Sequence, residues 1–228
     1  MRSRAKRRQP VLIVMAKTPR LGAAKRRLAA EIGDVAALRF YRNCLNRMLQ
    51  RLAHDPRWRV QLAVAPHEAI ADPFWRRLAS RHGVELVGQG EGDLGERMQR
   101  LLDKANGPAV LIGSDIPEIE PADIADAFRR LGRADAVFGP ARDGGFWLAG
   151  FSRRQLHPFD DVRWSSSEAL LDVIGNLKGR RIGLAATLSD VDGSTAYRRF
   201  MGPAARMVFP APLRRRETQP RGDRTLVV

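Results

Sequence analysis

Apolar residues follow two alternating patterns along this chain. Unbroken runs, Val11-Leu12-Ile13-Val14-Met15-Ala16 and Ala109-Val110-Leu111-Ile112, offer no polar face, as in strands covered on both sides. Arg59 to Ala65, Val84 to Val87, Ala136 to Phe138, Gly145 to Gly150 and Ile182 to Leu188 read as further strands. Between them the apolar spacing changes to three and four. From about Ala23 the pattern is helical, and Leu38, Tyr41, Leu45, Met48, Leu49 and Leu52 share one face. Pro73 to His82, Leu94 to Lys104, Glu120 to Leu131, Ser166 to Ile174 and Ser194 to Phe200 read as the other helices, with Pro121 at a favoured early position. Strands alternating with helices predict an α/β fold with a mostly parallel sheet. Such folds bind ligands beyond the carboxyl ends of the strands, which selects the loops 17–25, 88–97, 113–117, 139–145 and 189–195.

Composition narrows the picture. The 228 residues suit one domain with a core of its own. Cys44, the single cysteine, excludes a disulfide framework, and its mid-helix position marks it as a packing residue. Val11 to Ala16 is far too short for a membrane span or a signal-peptide core, so a cytoplasmic protein is expected. The net charge of +15 invites a nucleic-acid reading, but its distribution argues against one. Residues 1–9 and 201–228 together hold 11 basic and 2 acidic residues, whereas 10–200 hold 29 and 23. The expected layout is a disordered basic arm over 1–9, a folded domain over 10–200 and a basic, proline-rich tail over 201–228.

Chemistry concentrates in the selected loops. After the first strand, Lys17, Arg20 and Lys25 surround Gly22 where a helix begins, an arrangement suited to phosphates. The pattern of this loop is neither a Walker A loop nor GxGxxG. Gly113-Ser114-Asp115-Ile116-Pro117 puts a carboxylate at the end of a buried strand, placed to hold a divalent ion over a pyrophosphate; Mg²⁺ often takes only one or two protein carboxylates. Asp143 precedes Gly144 and Gly145, a pair that suggests backbone close to a ligand, and Trp147 follows. Asp190 and Asp192 would share one face of an extended segment, with Asp192 either a metal ligand or the cap of the helix near Ser194. Gly90, Gly92 and Gly95 would let a nucleoside lie against the backbone, and Arg97 would contact a phosphate or the acceptor. No HExxH or GxSxG is present, so zinc-hydrolase and serine-hydrolase readings have no support.

Taken together, Lys17-Thr18-Pro19, Gly22 to Leu28, Gly90 to Met98, Gly113 to Pro117, Gly139 to Leu148 and Asp190-Val191-Asp192 resemble the bacterial family called domain of unknown function 2064, or selenodomain-associated transferases. That family belongs to the GT-A-type nucleotide-diphospho-sugar transferases, and the likeness runs from about residue 10 to 200. The resemblance implies a GT-A-like (Rossmann-like) three-layer sandwich. It also implies Lys25 facing phosphates, Asp115 and Asp192 holding Mg²⁺ or Mn²⁺, and Asp143 on the acceptor side with Gly144, Gly145 and Trp147. Lys17, Arg20, Gly22, Gly92, Arg97 and Ser114 would complete the nucleotide site. The chain departs from the family pattern at Arg26, where a threonine is usual, at Trp147, where a tyrosine is common, and at Asp192-Gly193-Ser194. With the tyrosine gone, its hydroxyl contact would be missing or replaced by the indole N–H.

The resemblance implies a metal-dependent transferase with a nucleotide-activated donor, with Lys25, Asp115 and Asp143 as catalytic residues. Glycosyl transfer from a nucleotide sugar to a small acceptor is the leading expectation, since no LxAGxGxRMG-type loop follows the first strand. Nucleotidyl transfer from an NTP to a phosphorylated small molecule is the alternative. A non-catalytic nucleotide-binding or interaction protein is the reading from another class.

Overall fold

The computed structural model describes residues 9–22, 25–152, 156–188 and 197. Asp190, Asp192, the departure at Gly193-Ser194, the 201–228 tail, all but Gln9 of the basic arm, and all but Tyr197 of the helix expected at 194–200 lie outside these residues; so does the side chain of Arg26.

Seven strands form one sheet, with β1 (Val11–Lys17) and β4 (Ala109–Gly113) at its centre. β2 (Arg59–Ala65) and β3 (Glu85–Gly88) extend it on one side, while β6 (Phe146–Phe151), β5 (Ala136–Pro140) and β7 (Ile182–Leu184) extend it on the other. β1 pairs in parallel with β2 and β4, placing Val14 between Leu62 and Ile112. β6 runs antiparallel to both of its neighbours, the exception in a mostly parallel sheet. The chain leaves β1 toward β2 and β3, then returns to place β4 on the opposite flank. The loops after β1 and β4 therefore diverge and leave a crevice, the geometry that makes a strand-order reversal a ligand site.

Alternation along β1 divides the core. Leu12, Val14 and Ala16 face a layer built from α2 (Asp34–Leu52), α3 (Pro73–His82) and α5 (Pro121–Leu131), including Leu45, Leu49, Trp75 and Ile124. Val11 and Ile13 face the layer of α4 (Leu94–Lys104) and α6 (Ala169–Gly175), with Met98, Leu101 and Val173. The result is the expected three-layer α/β sandwich.

The expected helix from Ala23 onward divides at Gly33, whose φ of 84° no helix accommodates, into α1 (Arg26–Ile32) and α2. The last expected strand is shorter than its apolar run, because β7 ends at Leu184 and Leu188 only bridges to Ala141. A 3₁₀ turn at His67–Ala71 had no sequence signal. Cys44 is buried, and burial pushes its thiol up to about 12, as befits a packing residue.

Two glycines give opposite stability expectations. A Cβ at Gly139 would lie 2.4 Å from the Trp147 ring, so Gly139→Ala must displace a buried indole. It is expected to lower stability by about 1–3 kcal/mol in urea unfolding. Gly175 closes α6 with ordinary helical backbone and open space at its Cβ position, so Gly175→Ala is expected to raise stability by about 0.4–1 kcal/mol.

Candidate functional site

A cleft of about 670 Å³ opens at the β1–β4 reversal. Tyr41, on the apolar face of α2, ties its two central strands together. The Tyr41 hydroxyl accepts the Lys17 N–H at 3.1 Å and donates to the Lys17 carbonyl at 2.9 Å. It also bonds the Ser114 hydroxyl at 3.1 Å. Because its proton goes to the carbonyl, Ser114 is the donor in that last bond. Burial, aided by the nearby Asp115 charge, drives the Tyr41 hydroxyl far above its ordinary range, so it remains a neutral brace. Asp115 follows directly and stands half-exposed in the cleft, its Oδ2 3.1 Å from Lys25 Nζ. The Lys25 side chain is only 5% exposed against 46% for Asp115. Lys25 itself has left-handed backbone, φ 50°, at the entry to α1, which turns the chain out of the β1 loop and into the helix.

Gln89 organises the next wall. It is 3% exposed, and its amide N–H groups donate to the Ala16 and Ala63 carbonyls at 3.1 and 2.9 Å. Its Oε1 is left facing Arg97, whose Nη1 lies 3.4 Å away while its Nε donates to the Asp93 carbonyl. Arg97 is thus held over the cleft from two sides. Gly90 and Gly92 have a structural explanation. The Arg100 guanidinium packs against Gly90, and the Glu96 carboxylate of the α4 capping box packs against Gly92. Thr18 is pinned through both its N–H and its hydroxyl to the Ala65 carbonyl, and it accepts from the Trp75 indole.

The third wall comes from the turn at 141–145. Asp143 Oδ1 accepts the Gly145 N–H at 3.0 Å, which fixes the carboxylate at the rim. Gly144 has φ 87°, and a Cβ there would lie 2.1 Å from the Ser167 carbonyl oxygen; Gly144 therefore admits the backbone of the protein's own Ser167. That segment lines the cleft beside Trp164 and Phe146. Ser165 has φ 63°, a left-handed conformation that costs a non-glycine residue on the order of 1–3 kcal/mol where the surroundings hold it. The Trp147 indole N–H donates to the Ala186 carbonyl at 2.9 Å, so that donor is taken up by the protein's own backbone.

Of the residues singled out by sequence, Lys17, Lys25, Arg97, Ser114, Asp115, Asp143, Gly145 and Trp147 all line this cleft. Arg20, Gly22, Gly92 and Gly144 do not, because Gly92 and Gly144 serve local packing and Arg20 and Gly22 lie exposed in the loop after β1. Sequence reasoning passed over Tyr41, which reads as core, and Gln89, an ordinary loop residue until its strand-carbonyl bonds are seen. It also gave no weight to Trp164 and Ser165; a tryptophan followed by three serines outside any apolar pattern was the available signal. Among the described residues no cluster of three or more His, Cys, Asp or Glu side chains could cage a metal. Among the described residues Asp115 and Asp143 are the carboxylates that line the cleft, and the open Asp115 is a hard-oxygen ligand, which fits Mg²⁺ or Mn²⁺ carried largely by substrate phosphates.

Arg163 and Asp172 bracket the 164–167 segment through a two-pronged contact at 2.7 and 2.9 Å, reinforced by the Arg163 backbone N–H at 3.0 Å. Arg163 holds the Asp172 carboxyl at about 2, below its ordinary 3.8. A depressed carboxyl favours the folded contact above the ordinary value and loses that preference as pH falls through the lowered one. Protection of the Arg163 amide in hydrogen exchange is therefore expected to fall between about pH 4 and pH 2 in the wild type, and to be low already near neutrality in Asp172→Asn.

Comparisons place this architecture among known proteins. A protein of Desulfovibrio desulfuricans G20, provisionally assigned as a nucleotide-diphospho-sugar transferase, is 26% identical with a TM-score of 0.76, over 87% of this chain and 90% of that one. The fold is also shared with 4-diphosphocytidyl-2C-methyl-D-erythritol synthase of Anaerococcus prevotii DSM 20548, at 8% identity and TM-score 0.58, over 84% and 96% of the two chains. A cytidylyltransferase of Leptospira borgpetersenii serovar Hardjo-bovis (strain JB197) shares it at 17% identity and TM-score 0.55, over 84% of each chain. No curated protein matches the chain. The family model DUF2064, described as an uncharacterized protein conserved in bacteria, matches residues 48–166, just over half of the chain. With the α/β sandwich and the cleft residues as its structural counterpart, this match makes the chain a member of the bacterial DUF2064 family.

Proposed function

We propose that this protein is a divalent-metal-dependent transferase acting on a nucleotide-activated donor, with glycosyl transfer from a nucleotide sugar to a small acceptor as its reaction. The observation that carries the reading is the Lys25–Asp115 pair at the strand-order reversal, a nearly buried ammonium and an open carboxylate at 3.1 Å. The likeness to the Desulfovibrio protein provisionally assigned as a nucleotide-diphospho-sugar transferase supports the donor class.

Among the described residues, Lys17, Lys25, Arg27 and Arg97 line the cleft with Asp115 and Asp143, an excess of positive charge. In glycosyl transfer, the acceptor hydroxyl oxygen bonds to the anomeric carbon while the bond from that carbon to the diphosphate oxygen breaks. The departing nucleoside diphosphate carries the electron pair and gains negative charge, and preset cations at that position lower the barrier. Asp143, fixed by the Gly145 N–H and otherwise unbonded among the described residues, is placed to take the acceptor's proton. Asp115 would hold the metal, with Asp192 a candidate second ligand. When bound, the ion supplies Lewis-acid stabilisation of the phosphate oxygens.

The same four cations favour a second reading, since a triphosphate carries more charge than the diphosphate of a nucleotide sugar. Nucleotidyl transfer would use the same cleft, with a phosphorylated acceptor attacking the α-phosphorus and pyrophosphate leaving.

A thermal-shift and turnover panel of NTPs and nucleotide sugars, with and without Mg²⁺ or Mn²⁺, separates these readings. Metal-dependent stabilisation by a nucleotide, lost in Asp115→Ala, is expected, with release of a nucleoside diphosphate from a nucleotide sugar. Pyrophosphate release from an NTP would instead establish the nucleotidyl reaction. Nucleotide binding unaffected by metal and without turnover would mark a non-catalytic binding protein, and no response to any nucleotide would overturn the transferase reading.

A further inference from the structure

The cleft has more wall than the phosphates of a donor need. The part built from residues 141–169 is lined, among the described residues, by aromatic, hydroxyl and small groups and the Asp143 carboxylate, and by no lysine, arginine or histidine. Trp164 is its largest surface. Of the four tryptophans, Trp58, Trp75 and Trp147 are buried, whereas Trp164 is partly exposed and lines the cleft. Its ring is supported from behind, with the Phe146 and Phe159 centroids at 6.3 and 6.2 Å. Gly95, in the first turn of α4, admits it closely, since a Cβ there would lie 3.0 Å from Trp164 Cζ2. A ring held in this way loses little freedom when a ligand packs on it. Ser165 follows with φ 63°, imposed by the Arg163–Asp172 contact before it and, after it, by Ser167 against Gly144 and the Leu170 N–H on the Gly144 carbonyl at 3.2 Å. Such over-determined strain clusters at ligand sites. The neighbouring hydroxyls are used within the segment, Ser166 donating to the Arg163 carbonyl at 2.7 Å and Ser167 to the Glu168 carboxylate at 3.0 Å. The Ser165 hydroxyl has no such partner among the described residues, and it lines the cleft.

We propose that Trp164 and Ser165, with Asp143, form the acceptor subsite, and that it takes a neutral ring bearing hydroxyl groups, a saccharide or a cyclitol. This rests on the transferase reading above and names the acceptor class of that site. Such a ring has an apolar face of C–H groups that packs on an indole, and a rim of hydroxyls that both donate and accept. Ser165 Oγ matches one rim hydroxyl in either sense, and the Asp143 carboxylate accepts from another. The acceptor hydroxyl then gives its proton to Asp143 as its oxygen bonds to the anomeric carbon and the diphosphate leaves with the electron pair. A phosphorylated acceptor would bring its negative charge to a wall whose described charge in the cleft is itself a carboxylate. Arg97, on α4, is directed instead to Gln89 and the Asp93 carbonyl. The wall therefore favours glycosyl transfer over nucleotidyl transfer to a phosphorylated molecule.

The test uses the full chain with Mn²⁺ and each of UDP, GDP, CDP and ADP in turn to fill the donor site. Methyl glucoside, methyl mannoside, methyl galactoside and myo-inositol are compared with the corresponding hexose monophosphates. Binding is read by ligand-observed saturation-transfer NMR and by protection of tryptophan fluorescence from acrylamide, which reaches Trp164 in preference to the three buried indoles. At least one neutral probe is expected to bind and shield the fluorescence, with the monophosphates binding more weakly. Trp164→Leu should weaken that probe by about two- to tenfold, the range of one aromatic contact, while Trp164→Tyr should retain most of the affinity. Ser165→Ala should cost a similar factor through its lost hydrogen bond. Circular dichroism establishes that each variant is folded. Tighter binding of the monophosphates, no binding of any neutral probe, or equal probe affinity in wild type and Trp164→Leu overturns the inference, while metal-dependent nucleotide binding, and so the transferase reading, stands. Shielding of Trp164 by a nucleotide sugar alone would put the indole on the donor and also overturn it. Failure of every nucleotide to bind, with or without metal, overturns both.

Discussion

The parallel pairing of β1 with β4 is the constraint on which the rest of this structure depends. The strands that follow β1 and precede β4 extend the sheet in one direction, and every strand after β4 lies in the other. Where the two directions part, the cleft opens, lined by Lys17, Ser114 and Asp115 from the ends of β1 and β4. Lys17 at the end of β1 and Ser114-Asp115 after β4 become neighbours because their strands are hydrogen-bonded in register, Val14 opposite Ile112. A slip of one residue would turn their side chains to the other face and take the carboxylate away from the lysines.

Buried polar groups convert that pairing into a rigid frame. Tyr41 satisfies both backbone groups of Lys17 and reaches Ser114, so the ends of β1 and β4 are joined by a hydroxyl belonging to α2. Gln89 does the same for β1 and β2 through the Ala16 and Ala63 carbonyls and then presents its oxygen to Arg97. Both groups would be costly in the interior without these partners. Their satisfaction makes the cleft walls part of the core, so the charged groups that line it are attached to strands that cannot shift independently.

The opposite wall has a different construction. There Gly144 lets the backbone of Ser167 approach within contact, and Arg163 with Asp172 closes the segment from its far side. Phe146 and Trp164 line this wall and belong to an aromatic group with Phe138, Phe151 and Phe159. One side of the cleft is therefore cationic and the other aromatic and hydroxylated, a division suited to a phosphate-bearing donor on one side and a different chemical group on the other.

Much of this was legible in the residues. The apolar run of β1 and the three-and-four spacing of α2 reflect burial on both faces and on one face, so periodicity placed both elements without knowledge of their neighbours. Asp115 was visible because a carboxylate that ends a buried strand has no packing role, and Lys25 because cations crowd a loop between strand and helix. The break at Gly33 was less legible, since a glycine in a helical pattern does not announce its φ. Tyr41 and Gln89 were hidden for a stronger reason: each works through partners 24 or more residues away, Lys17, Ser114, Ala16 and Ala63, and sequence spacing carries no record of such contacts. The double glycine at 144–145 showed that something comes close, but only the fold decided that at Gly144 it is the backbone of Ser167. The sequence by itself determined the elements, the α/β class and the chemical character of the loops, because these follow from local periodicity and residue type. The tertiary structure alone decided which loops meet, and with them the pairing of Lys25 with Asp115, because that depends on the order and register in which distant strands hydrogen-bond.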